Sequence, residues 1–129
     1  MYSDLVGIRF SDRGRDPSVG VDCWGLIMLA MKKNSIDIQD FRVSCYSTVD
    51  IHGEFSLAVG GWTKTDTMEE GDVVAMAIDP NYPDVVQHFG YAVDDTRILH
   101  TMAKMGSVIM RINHPFIKHR IRGYYRWTE

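Results

Sequence analysis

One cysteine stands between an aspartate and a tryptophan in VGVDCWGLIML (residues 19–29), directly before an apolar run. If Asp22 caps a helix, Cys23 occupies its first position, where unpaired backbone N–H groups and the helix dipole stabilise a thiolate. The same N–H groups could receive the oxyanion that develops on an attacked carbonyl. Asp22 works in the opposite direction, because a neighbouring carboxylate raises a thiol's pKa. Nucleophilic chemistry at Cys23 therefore calls for a histidine base.

Of the five histidines, only His88 in VQHFGYAV and His100 in RILHTM fall within predicted strands of a single hairpin. Facing residues of an antiparallel pair have a constant index sum, so loop length decides whether the two rings can meet. A two-residue loop at Asp94–Asp95 makes that sum odd and puts His88 and His100 on opposite faces. A three-residue loop, Asp94–Asp95–Thr96, makes it even and places both on one face as diagonal neighbours. In the second geometry His88 is the general base and acid for Cys23, and His100 holds the His88 ring in its tautomer and orientation. Gly90, on the same face, leaves room for an approaching helix or substrate.

The remaining candidates read as structural. His52, His114 and His119 lie in loop or surface contexts without metal-ligand spacing, so no metal is expected, and the thiol chemistry requires no cofactor. Cys45 reads as a small apolar filler, and its spacing from Cys23 does not call for a disulfide. Gly71–Asp72 reads as a turn before a strand, and the aromatic YYRW segment as a strand packed on the core.

These residues need a helix and a sheet to hold them. Cys23, Leu26, Ile27, Ala30 and Met31 follow the spacing of a helix with one buried face, with Asp22 as N-cap, Lys32 and Lys33 at the C-terminal end and Asn34 as the stop. The preceding GIRFSDRGRDPSVGV is turn-rich and reads as an irregular lead-in. Residues 34–66 are open: FRVSCY reads as a short strand or a packed loop, and GEFSLAVGG as a short helix bounded by glycines. From residue 72 onward the pattern becomes strand-like at 72–78, 86–93, 97–102, 107–112 and 122–127, joined by short turns that favour hairpins. The expectation is one α+β domain over residues 1–129, an N-terminal helix packed on an antiparallel sheet.

Net charge is −3 with both signs dispersed, so the basic stripe that nucleic acid demands is missing. No apolar run approaches the roughly 20 residues of a membrane-spanning helix. MYSDLVGIRF lacks a basic segment leading into a continuous apolar one, which gives the expectation of synthesis in the cytoplasm without a signal peptide.

With GIRFSDRGRDPSVGVDCWGLI, EEGDVVAM, HFGYAV and ILHT in this order, the chain resembles the NlpC/P60 cysteine peptidases over Gly7–Thr101, and in particular the short forms encoded with phage tail genes. The resemblance implies a papain-like core and hydrolysis of amide bonds in bacterial peptidoglycan stem peptides, often between D-γ-glutamyl and a diamino acid. By position it assigns Cys23 as nucleophile, His88 as base and His100 as third member. It places Asp22 where some relatives bind the free amine of the stem peptide. Two positions depart from the common pattern: Phe10 stands where many relatives carry an active-site tyrosine, and Trp24 replaces a small residue and is expected to bear on substrate choice. Phage tail proteins are implied partners, and a tail would carry the enzyme to the cell wall. Two other readings stay open: a non-enzymatic tail-assembly component, and a thiol amidase or acyltransferase acting on another substrate.

Overall fold

The structure is a computed structural model and describes residues 1–40 and 61–128. Cys45, His52, FRVSCY and most of GEFSLAVGG lie outside the described residues. Asp22 starts the helix as its sequence predicts: its carboxylate accepts the Gly25 N–H at 2.8 Å, satisfying one of the orphan donors of a helix start. Helix α1 then runs Cys23–Lys33 and closes with the Asn34 N–H on the Met31 carbonyl.

The lead-in is more ordered than its turn-rich composition suggests. Strands β1 (Arg15–Asp16) and β2 (Gly20–Val21) form a small antiparallel ribbon, and Phe10 bridges in parallel to Val21. This ribbon lies against the first turn of α1, and glycine permits the approach. A Cβ on Gly25 would stand 2.4 Å from the Gly14 carbonyl oxygen.

Among the described residues, six strands form the main sheet: β3 (Trp62–Thr65), β4 (Val73–Met76), β5 (His88–Ala92), β6 (Arg97–Met102), β7 (Gly106–Arg111) and β8 (Ile121–Trp127). Their order is β3-β8-β4-β5-β6-β7, and every neighbouring pair is antiparallel. β4 through β8 fall within the predicted strand segments to within a residue. β3 was not anticipated, because WTKT is short and buries only its tryptophan, too little for a period-two pattern to register.

The sheet is covered on both faces. On one, Leu26, Ile27, Ala30 and Met31 of α1 share a core with Val73, Ala75, Phe89, Tyr91 and Leu99. On the other, Val74, Met76, Ala92 and Ile98 pack with Met68 and with Ile117, which comes from the segment between β7 and β8. Double coverage explains why β4 and β5 are buried along their whole length and read as nearly continuous apolar runs. Gly90 serves this second core: a Cβ there would stand 2.9 Å from Ile98 Cδ1 and 3.3 Å from Met76 Cε, so the space it leaves is filled by side chains of the sheet itself.

Polar contacts fix the frame. The buried Asp72 carboxylate receives two Arg126 N–H donors, both at 2.9 Å, and the Glu69 N–H at 2.8 Å, tying the start of β4 to the end of β8. Tyr91 OH, Tyr2 OH and the Asn34 amide converge within 3.2 Å of one another, and Tyr2 donates to Glu70 at 2.7 Å. At the outer edge of β7, Ser107 accepts the Gly7 N–H and donates to the Ile8 carbonyl, while its hydroxyl accepts the Ile8 N–H and donates to the Leu5 carbonyl.

The close ribbon–helix contact yields a direct test. Gly25→Ala forces a methyl group against the Gly14 carbonyl, so we expect a loss of about 2 kcal/mol of stability, read as a lower midpoint in thermal or urea unfolding.

Candidate functional site

The β5–β6 turn decides the geometry of the site. Tyr91 pairs with Leu99 and Ala92 with Ile98, and the Val93 N–H reaches the Arg97 carbonyl at 3.0 Å. The loop is therefore Asp94–Asp95–Thr96, the odd length that gives the even register. The Asp94 side chain holds it: Oδ1 accepts the backbone N–H groups of Thr96 and Arg97, each at 2.9 Å, and Oδ2 accepts Arg97 Nε–H at 2.9 Å. The Thr96 N–H and the Arg97 guanidinium, in that order, hold the Asp94 carboxyl down at about 2. DDT thus carried a stronger turn signal than its composition alone, an Asx-type bracket.

With this register His88, the first residue of β5, and His100, in the middle of β6, share the face away from α1. His88 Nε2 lies 2.9 Å from His100 Nδ1, with the two rings edge to face. His100 is fully buried, stacked on Phe116, and its Nε2 lies 3.3 Å from the Met110 thioether sulfur. Arg120 in turn covers the Phe116 ring. Burial, reinforced by the neighbouring His100, holds His88 well below the usual imidazole range. Burial, with a smaller contribution from His114, brings His100 down to about 4. Both rings are neutral at physiological pH.

Cys23 is a free thiol at the first position of α1 and only 3% exposed. Burial first, and Asp22 second, push it up to about 12, while the backbone N–H groups of Phe89 and Trp24 favour the thiolate. The helix start does not outweigh desolvation, so the resting sulfur is a thiol. The Phe89 N–H that favours its thiolate belongs to the residue after His88. The structure thus brings the two histidines into contact with each other, while Cys23 packs in the core on the α1 face of the sheet.

The other three site candidates occupy different environments. Asp22 is buried, with Oδ1 accepting from both the Gly25 N–H and Arg15 Nη1, the latter at 2.6 Å, and Arg15 Nε reaches Asp40 at 2.9 Å. Burial raises the Asp22 pKa, with the Gly25 N–H and the Arg15 guanidinium pulling it back. Arg15, which the sequence reading passed over, is thus the counter-ion of the helix cap. Trp24 is a core side chain: its ring meets Phe89 and Trp62 edge to face, and its indole N–H donates to the Gln39 carbonyl at 2.9 Å. Phe10 is half-buried beside β2, the strand that leads into Cys23. His114 and His119 lie in the β7–β8 connection, and no group of residues able to hold a metal occurs among the described residues. No helix among them is long and apolar enough to cross a membrane.

The family model described as "NlpC/P60 family" matches residues 7–126. Solved structures share the fold. A lipoprotein-like NLP/P60 family protein from Staphylococcus aureus superposes with a TM-score of 0.68 at 18% identity, covering 98% of this chain and 38% of that one. NlpC2 from Trichomonas vaginalis gives 0.69 at 19%, covering 96% and 43%. The NlpC/p60 domain of the peptidoglycan hydrolase SagA gives 0.61 at 16%, covering 97% and 91%. The chain spans about two fifths of the length of the first two. No curated protein matches its sequence significantly.

Two neutral, buried imidazoles make stability depend on pH. The unfolded chain protonates both near the ordinary histidine value of 6.5, while the fold holds them lower, His100 at about 4. The unfolded state therefore binds more protons in this window. Their contribution is complete above pH 6.5 and is lost as pH falls toward 4. Urea titrations at neutral and mildly acidic pH should show this decline, and His100→Gln should flatten part of it.

Proposed function

The chain belongs to the NlpC/P60 family, and on that premise we propose that it is a cysteine peptidase that hydrolyses amide bonds in bacterial cell-wall stem peptides, with a Cys23–His88–His100 triad. The observation that carries this reading is the 2.9 Å contact of His88 Nε2 with His100 Nδ1, one residue before the Phe89 N–H that favours the Cys23 thiolate. The fold is shared with a domain described as part of a peptidoglycan hydrolase.

In the proposed reaction the sulfur attacks the scissile carbonyl as its proton passes to His88 Nδ1, the ring nitrogen not engaged by His100. The thiol is neutral at rest, so proton transfer accompanies attack. The C–N bond then breaks, His88 returns the proton to the leaving amine, and an S-acyl enzyme remains, which water hydrolyses with His88 again as base. Backbone N–H groups at the start of α1 stabilise the oxyanion. His100 accepts from His88 Nε2–H throughout and steadies the imidazolium.

Phe10, at the entry to the Cys23 turn and without a hydroxyl, contributes an apolar contact to substrate. Asp22 and Trp24 act on substrate through what they hold in place, the first turn of α1 and the wall formed with Phe89. A substrate amine at Asp22 would share that carboxylate with Arg15. The finer placement, a phage tail-associated enzyme with tail proteins as partners and the tail as its route to the wall, rests on the DCWGL form of the nucleophile motif.

Purified sacculi provide the test. The wild type should release soluble peptides, and Cys23→Ala should release none; equal release by both would overturn the proposal, as would complete inactivity of the folded wild type. His88→Ala should lower kcat by about 10²- to 10⁴-fold, the range for loss of a general base. Because the thiol sits near 12, alkylation of Cys23, followed on its own peptide by mass spectrometry, should be slow at neutral pH and keep rising into the alkaline range.

A further inference from the structure

We propose that Met110 is a positioning residue that fixes the tautomer of the His88–His100 pair, and so leaves His88 Nδ1 free to accept a proton. The inference rests on the triad reading for its consequence, but its structural content stands separately. Met110 lies on β7 opposite Ile98 of β6, which brings its side chain to the face that His100 occupies. Its sulfur is 3.3 Å from His100 Nε2. A thioether has lone pairs and no proton, so it can only accept.

The consequence follows along the chain of contacts. A neutral His100 has one N–H, and a contact of Nε2 with sulfur is favourable only if that proton is on Nε2. His100 Nδ1 is then a lone pair, which at 2.9 Å must be met by a proton on His88 Nε2. Neutral His88 with its proton on Nε2 has a bare Nδ1, the form that can take a proton from a thiol. In the opposite arrangement His100 donates from Nδ1 to a bare His88 Nε2, and His88 carries its proton on Nδ1, where it cannot act as base. That arrangement also turns a bare Nε2 toward the sulfur, lone pair against lone pair. Burial of both rings keeps a second proton off the pair and preserves the either-or choice.

Among the described residues no other acceptor is placed to make this choice. His100 is stacked on Phe116, which offers a ring face, and His114, whose charge is felt at His100, spends its Nδ1 on the Phe116 N–H at 3.0 Å.

The tautomers can be read directly. In the full chain labelled with ¹⁵N-histidine, long-range ¹H–¹⁵N spectra at neutral pH should show His88 and His100 both protonated on Nε2, with assignments made from His88→Gln and His100→Gln. Met110→Leu keeps the bulk and removes the acceptor. It should give a mixture of tautomers at His100 and lower kcat about fivefold, the loss of one weak hydrogen bond, with KM unchanged. Met110→Gln, whose amide oxygen accepts, should restore both. A proton on Nδ1 of wild-type His100, or an unchanged tautomer in Met110→Leu, would overturn the inference. If Met110→Leu does not fold, the wild-type spectrum decides alone. Failure of the peptidase reading would appear instead as inactivity of the wild type on sacculi, which the spectra do not depend on.

Discussion

The site depends on the parity of one turn. Asp94 brackets three residues between β5 and β6, and that odd number decides which face each β6 side chain takes. One residue fewer would send His100 to the helix side and its apolar neighbours Ile98 and Leu99 each to the wrong core. Packing and chemistry therefore demand the same register, and neither can drift without the other. The two cores enforce what the Asp94 bracket begins, since Leu99 belongs to one and Ile98 to the other.

Burial sets the electrical state of the site. The start of a helix is commonly taken to activate a thiol, yet here desolvation and Asp22 together outweigh the N–H groups that face the sulfur. The histidines respond to burial in the opposite sense and lose their charge. Thiol and imidazoles thus all rest neutral, and in the proposed reaction charge separates only when the sulfur attacks. In the proposed reaction, the surroundings that suppress charge at rest also strengthen every dipole directed at the charge once it forms, among them the fixed N–H groups of α1.

Much of this was legible in the residues. The helix is recovered with its cap because Asp22, the apolar spacing and the terminal lysines agree with one another. The paired histidines could be reduced to a choice between two loop lengths, since strand periodicity is rigid even where the loop is not known. Less legible were features in which one residue answers another far away. Arg15 neutralising Asp22, Arg126 clasping Asp72, and Tyr2 meeting Tyr91 leave no periodic trace. Trp24 shows the limit of position-based inference: next to Cys23 in sequence, it turns its ring into the core. Gly90 does so as well, because the neighbours that fill its space belong to other strands.

The clamp at Ser107 has a consequence for life in solution. β7 is a rim strand of the sheet, and a bare rim offers a row of unpaired N–H and C=O groups to any passing chain. By tying residues Leu5–Ile8 onto that rim, Ser107 shortens the stretch open to foreign strands. Among the described residues the opposite rim is β3, which is four residues long and carries Lys64, a charge that resists stacking of like edges. The strand that carries Met110 is thereby shielded from edge-to-edge aggregation by residues of the N-terminal segment.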